Sequence, residues 1–279
     1  MNRLLAVAVA VAVLTAVLLT VAPGIGVAHA SNPRAATVQK VFPSAVRIQL
    51  AIGREVLRSA SGVAFARDGD ETYVLTNAHV VEPNPAWKQP IELRILVAGV
   101  DQPLAGKVVA RGRVPDLDVA VVAVRGAAIP VTPLAATDAL ELGDDLVVIG
   151  APFGKGLSVA AGIVSQVEYE HAESAATAGR PRSLKTDAAI GYGSSGAGVF
   201  DVPAGRLVGL VEGYRTARVA FGKDEGYALD VPMPGETFVA PAAKIRHFLL
   251  DQGLERLIPG NATATAKTPA PVEPAASRM

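Results

Sequence analysis

The chain has 279 residues, half of them hydrophobic, and its 26 basic and 26 acidic side chains cancel to a net charge of zero. This length allows one large domain or two modest ones with a sizeable core, and the charge balance offers no basic field for nucleic acid or an anionic membrane. Cysteine is absent, which excludes disulfides, a thiol nucleophile and any cysteine-based zinc site; the four histidines, His29, His79, His171 and His247, show no metal-ligand spacing, so neither a metal nor a cofactor is expected.

Residues 1–30 read as a secretory signal peptide. Arg3 supplies a positive start, and Leu4 to Ala22 is apolar apart from Thr15 and Thr20. Pro23-Gly24 breaks the run, and Ala28-His29-Ala30 offers a small-x-small cleavage site before Ser31. The competing reading is an uncleaved anchor, because the run is long enough to span a bilayer. Export to the periplasm, the cell surface or the medium follows from the first reading; the membrane is a partner only in the second.

Ala35 to Val41 is weakly helical and stops at Phe42-Pro43. Ala45 to Ile52 alternates apolar and polar residues and predicts a strand. Leu57 to Ala66 predicts another, with Ser61-Gly62 as a bend or bulge, and Asp68-Gly69-Asp70 signals a hairpin turn. Tyr73 to Thr76 is a short strand leading into Asn77-Ala78-His79-Val80-Val81. A Pro-rich loop holding Trp87 follows, then strands at Ile91 to Val97 and Gly106 to Ala110. Asp116-Leu117-Asp118 opens Val119 to Val124, an apolar run of the kind buried on both faces.

Gly126 to Gly143 reads as a linker, with a short helical turn capped by Thr137 or Asp138. A second series then predicts strands at Leu146 to Ile149, Leu157 to Val167, Ser183 to Thr186, Gly198 to Phe200, Arg206 to Val211 and Gly226 to Val231. Turns fall at Pro152, Gly154, Gly179-Arg180-Pro181, Pro203 to Gly205 and Pro232. Pro241 to Asp251 is the one strong helix signal, with proline in its first turn and Gly253 past its end. Beyond Ile258 the composition turns to Ala, Thr and Pro and cannot bury a face; Asn261-Ala262-Thr263 there fits a glycosylation tripeptide.

These elements predict an all-β chain of two six-stranded antiparallel β-barrels with a C-terminal α-helix. The expected divisions are a signal peptide over 1–30, a first barrel over 31–125, a linker over 126–145, a second barrel over 146–240, a helix over 241–253 and a disordered tail over 254–279.

The chemistry centres on Thr186 to Phe200, where Gly191, Gly193, Gly196 and Gly198 surround Ser194 and Ser195. Glycine serves where backbone turns sharply or approaches another group. A serine on such a turn suits a nucleophile, with backbone N–H groups aimed at a developing oxyanion; a plain glycine-serine surface loop is the alternative. A serine hydroxyl needs an adjacent base, a histidine can take and return the proton, and a buried carboxylate can hold the imidazole in one tautomer. His79, Asp118 and Ser195 supply these types in the order His, Asp, Ser, with Asp116 as the alternative acid and Ser194 as the alternative nucleophile. Asp187 reads as structural, through bonds to nearby backbone, and His171 and His247 as solvated or packed.

The chain resembles a trypsin-like serine protease of the HtrA/Deg type. The resemblance rests on Thr76-Asn77-Ala78-His79-Val80-Val81, Asp118 to Val122, Leu142-Gly143-Asp144, Ile149 to Gly154, Gly162 to Ser165 and Thr186 to Ile190, in that order. It implies a chymotrypsin-like double barrel with the site in the cleft, His79 as general base, Asp118 orienting it and Ser195 as nucleophile. It also implies an oxyanion hole from the N–H groups of Gly193 and Ser195; choosing Ser194 would put Tyr192 where the oxyanion glycine belongs. Six residues before the nucleophile stands the base of the primary specificity pocket, here Ala189. With no acid there a basic P1 side chain would be buried unpaired, so a small or aliphatic P1 residue is expected. Tyr192 is placed as a lining residue of that pocket, and Glu212, Gly213 and Tyr214 as the edge that pairs with substrate backbone.

The family's usual Gly-Asn-Ser-Gly-Gly-Pro reads here Gly193-Ser194-Ser195-Gly196-Ala197-Gly198. If the backbone at Ala197 needs positive φ, its methyl strains the loop by roughly 1 kcal/mol or more. The expected function is therefore a serine endopeptidase acting on protein or peptide substrates through an acyl-enzyme. The alternative is a catalytically weak or inactive protease-like peptide-binding module. No PDZ domain is expected after the protease domain.

Overall fold

The computed structural model describes residues 32–136, 140–169, 181–221 and 227–260. The signal-peptide stretch, the cap at Thr137 or Asp138, His171, the Gly179-Arg180 turn and the Asn261 tripeptide lie outside these residues. Among the described residues no helix is long and apolar enough to cross a membrane.

The first barrel is built from β1 (Ala45–Ile52), β2 (Glu55–Asp68), β3 (Glu71–Thr76), β4 (Glu92–Val97), β5 (Leu104–Arg111) and β6 (Ala120–Val124). They close in the order β1-β2-β3-β6-β5-β4. The second uses β7 (Asp145–Gly150), β8 (Ser158–Tyr169), β9 (Pro181–Thr186), β10 (Gly198–Asp201), β11 (Leu207–Phe221) and β12 (Tyr227–Pro241). Its closed order, β7-β8-β9-β12-β11-β10, repeats that of the first, and every strand pair is antiparallel. The all-β, two-barrel expectation holds, with a C-terminal helix over Ala242–Asp251 and Pro241 at its N-cap.

Period-two alternation explains the valine-rich β6. Ala120, Val122 and Val124 fill the first barrel with Ile48, Val74 and Ile95. Val121 and Ala123 face the other way, into the larger core that also holds Phe200, Leu210 and Phe248. Both faces are buried, so no polar position interrupts the run.

Two long strands went unforeseen. β11 and β12 run past the expected Arg206–Val211 and Gly226–Val231, and Pro232 lies inside a strand rather than at a turn. Tyr214 pairs with Thr237 while Thr216 pairs with Pro232, so the ladder is interrupted where the prolines sit. Pro232 is the last paired residue before that interruption, the kind of irregularity at which strands tolerate proline. Ser61-Gly62 is likewise no bend: β2 continues through it, pairing Ser61 with Arg47 and Gly62 with Val46.

The termini strap the barrels together. The helix α1 (Pro33–Val41) precedes the first barrel but docks on the second. Thr37 Oγ1 donates to the carbonyl of Val202 at 2.6 Å, and Lys40 Nζ to that of Ala204 at 2.6 Å. At the other end, Leu254, Leu257 and Ile258 are buried in the larger core, and Arg256 pairs with Asp68 of β2 at 3.1 Å. Residues 254–258 therefore pack into the fold rather than forming part of the tail expected from 254, because these apolar side chains find a surface that composition does not disclose.

Candidate active site

β3 and β6 are antiparallel neighbours, and their register pairs Thr76 with Ala120. His79 stands three residues after Thr76 and Asp118 two before Ala120, so strand pairing delivers both to one barrel edge. There the Asp118 carboxylate is shared. Oδ1 accepts the His79 backbone N–H at 2.9 Å, and Oδ2 lies 2.6 Å from His79 Nδ1. Asn77 Nδ2 holds the Asp118 carbonyl at 2.8 Å. Asp118 is buried and Asp116 exposed, which separates the two acids: only Asp118 meets the ring. The His79 side chain remains 38% exposed, open on its far edge.

Arg58 of β2, unnoticed in the sequence, braces the loop beyond His79. Its guanidinium donates to the carbonyl of His79 and, at 3.0 Å, to that of Val80, and it stacks over Trp87 at 5.5 Å. With no cysteine available, a charged side chain does this pinning. Replacing Arg58 by Met keeps the aliphatic stem and removes the donors. kcat is expected to fall roughly 10–100-fold, the scale of a misplaced catalytic group, with KM little changed in steady-state kinetics.

The serine turn follows β9 and enters β10. Gly193 and Gly196 take positive φ, 89° and 80°. Ser194 is folded into the turn: its N–H donates to Gly191 O at 3.0 Å, and its Oγ accepts the Gly191 N–H at 3.3 Å. Ser195 is half-buried. The N–H groups of Ser194, Gly196 and Ala197 bond Gly191 O, Val211 O and Ser194 O. Those of Gly193 and Ser195 meet no acceptor among the described residues.

Ala197 carries no strain. Among the described residues the one non-glycine with positive φ is Phe153, at 54°, so the positive-φ positions of the turn are Gly193 and Gly196, and Ala197 is not one of them. The Ala197 methyl is fully buried, and the space for it comes from Gly150, where an added Cβ would lie 2.6 Å from it. The strain sits in the neighbouring loop instead. Phe153's left-handed backbone, costing roughly 1 kcal/mol or more, lets its N–H reach the Tyr192 carbonyl at 2.5 Å. Because the peptide is planar and trans, the Gly193 N–H is held on the opposite side.

Ser61 joins the turn to the first barrel, a role with no local signal in the sequence. Its N–H donates to Ser195 O at 2.9 Å. Its Oγ donates to Gly193 O at 2.7 Å and accepts the Ala151 N–H at 2.8 Å, while its carbonyl accepts Thr76 Oγ1 at 2.8 Å. Gly196 is seated against the same pair: a Cβ there would lie 2.3 Å from Ser61 O and 2.4 Å from Thr76 Oγ1. The turn bearing Ser195 thus rests on the strand end that carries His79. Gly196→Ala is expected to destabilise the fold by about 2–4 kcal/mol, from left-handed strain plus overpacking, seen as a lower denaturant midpoint at unchanged m-value.

The five substrate-binding candidates fall in two groups. Ala189 is exposed and, with Tyr192, lines a mainly apolar cavity of about 580 Å³. Glu212, Gly213 and Tyr214 line no part of it and lie on β11. Gly213 and Tyr214 pair with Phe238 and Thr237 on one side; beyond Val211 the other edge has no strand partner among the described residues. Glu212 turns its carboxylate to Lys244 at 3.0 Å, leaving its backbone for the edge. Asp187 accepts the Ile163 N–H at 2.7 Å, and His247 is exposed beside Asp251. Among the described residues no group of three acids or histidines could hold a metal.

Residues 60–210 match the family of trypsin-like peptidase domains. Among curated proteins, the chain is 31% identical to serine protease HTR4 of Bos taurus, over 84% of its own length and 44% of that protein's. It is 29% identical to serine protease HTRA3 of Homo sapiens, over 81% of its own length and 48% of that protein's. It spans less than half the length of these relatives. Among solved structures, a serine endoprotease from Yersinia pestis aligns with a TM-score of 0.56 at 22% identity, covering 77% of this chain and 65% of that one.

Proposed function

The chain belongs to the trypsin-like peptidase family, and from that membership we propose that it is an exported serine endopeptidase of the HtrA type. The observation that carries the reading is the Asp118–His79 pair beside a serine turn whose Gly193 and Ser195 N–H groups are unclaimed. His79 takes the Ser195 proton as Oγ attacks the scissile carbonyl. Asp118, bonded to Nδ1, fixes the tautomer that leaves the other ring nitrogen as acceptor and stabilises the imidazolium. The oxyanion is received by the N–H groups of Gly193 and Ser195. His79 then protonates the leaving amine, and water, activated by the same ring, releases the acyl group and restores the Ser195 hydroxyl.

Substrate backbone adds to the open β11 edge at Glu212 to Tyr214, a strand-addition mode. The apolar surroundings of Ala189, with no acid at its position, favour a small or aliphatic P1 residue. The inactive-module alternative rested on strain at Ala197; that residue's φ is not positive, so its motive is gone. Export rests on residues 1–30, with the cleavable reading preferred to the anchor.

A fluorophosphonate probe tests the assignment. Stoichiometric modification located on Ser195 by peptide mass spectrometry is expected; an unmodified protein, or an adduct on Ser194, overturns it.

A further inference from the structure

The cavity that Ala189 faces and the strand edge that would hold substrate backbone are separated by two tyrosines. Tyr192, on the serine turn, lines the cavity. Its ring meets that of Tyr214, on β11, edge to face at 5.8 Å, and on its other side it meets Phe153 at 6.5 Å. Ser195 and Glu212 to Tyr214 have no share in the cavity lining. The two segments expected to flank a P1 side chain are thus bridged by aromatic rings, and the cavity lies behind the bridge.

The two partners differ in freedom. Tyr192 is 60% exposed, with room to turn. Tyr214 is the fixed half: its Oη is fully buried and bonds nothing among the described residues. Burial pushes its phenol up to about 12, and the neighbouring Tyr192 phenol adds to the shift without meeting hydrogen-bond geometry. The Tyr214 phenol is therefore uncharged throughout the neutral range. The edge-to-face contact with Tyr192 holds the Tyr214 ring in place. Next to it Gly213 leaves the edge open: an added Cβ would meet nothing within 4 Å.

We infer that Tyr192 and Tyr214 form a gate between the β11 edge and the apolar cavity, and that the gate sets P1 size. Closed, it leaves space for alanine-sized side chains beside Ser195. Opened by rotation of Tyr192, or by truncation of either ring, it joins the cavity to the cleft and admits leucine or phenylalanine. The inference rests on the endopeptidase reading and narrows its P1 class. The lining behind the gate suits such side chains: Val148, Ala160 and Ile190 present apolar surface.

The test uses the full chain with peptide p-nitroanilides that differ only at P1, carrying Ala, Val, Leu or Phe. Each preparation is first titrated with a fluorophosphonate, so that rates refer to competent sites. Wild type is expected to cleave after Ala or Val in preference to Leu and Phe. Tyr214→Ala is expected to raise the Leu:Ala and Phe:Ala ratios of kcat/KM by at least about tenfold, the scale on which hydrophobic pockets discriminate. Tyr192→Ala removes an exposed ring, so it guards against a folding failure at Tyr214, and should shift the ratios in the same direction. Ratios unchanged in both variants, with sites still titrating, overturn the gate and leave the protease standing. A wild type that does not titrate overturns the protease reading and the gate with it.

Discussion

Replacing Ser195 by alanine is expected to lower kcat roughly a millionfold, the scale on which a serine nucleophile fails when its oxygen is removed. The geometry makes the loss specific to one serine of an adjacent pair. Ser194 is 4% exposed and folded back on Gly191, so its oxygen is engaged inside the turn. Ser194→Ala removes one long hydrogen bond and is expected to cost about 1 kcal/mol of loop stability and to keep most turnover. Steady-state kinetics on both variants, with circular dichroism to verify folding, decides the matter. A Ser195→Ala protein that retains a tenth of wild-type turnover, or a Ser194→Ala protein that loses all of it, would transfer the nucleophile to Ser194.

Asp118→Asn is the second large effect, with an expected fall in kcat of about 10⁴-fold. Both carboxylate oxygens are in use, one on the His79 backbone N–H and one on the ring. An amide has a single oxygen. Keeping it on the backbone N–H turns the NH₂ toward Nδ1, which must then accept, and the ring proton moves to the nitrogen that should receive the serine's. Keeping it on the ring leaves two donors facing each other at the His79 N–H. Either outcome damages the base without removing it, so KM should change little. A drop smaller than tenfold would argue that the exposed Asp116, or no acid at all, supports His79.

Much of this site was legible because its parts are local. The β-rich runs, the turn glycines and the His, Asp, Ser order stand in short segments, each interpretable from residue types and spacing. Asp118 could be preferred to Asp116 from its place at the mouth of an apolar strand, and the burial difference between them bears the same sense. Ser61 and Arg58 were invisible for the opposite reason. Nothing in Leu57 to Ala66 says that one hydroxyl will bridge Gly193 and Ala151 from the other barrel, or that one guanidinium will reach the carbonyl of His79. The long β11–β12 hairpin was missed because Pro232 reads as a breaker, and only the interrupted register around Tyr214 and Thr216 makes it harmless.

By itself, then, the amino-acid sequence determined the two-barrel class, the residues proposed for acyl-transfer chemistry and the need for glycine in the serine turn. Those follow from side-chain period, functional-group type and backbone sterics, which act over a few residues. Tertiary structure alone decided that Gly196 rather than Ala197 takes the left-handed backbone, that Gly150 leaves room for the Ala197 methyl, that Ser61 seats the turn, and that Tyr192 meets Tyr214 across the cleft. The last three are contacts between separated segments, set by how the strands and barrels pack, and no short window of sequence contains both partners; the first is set by the backbone of the folded turn.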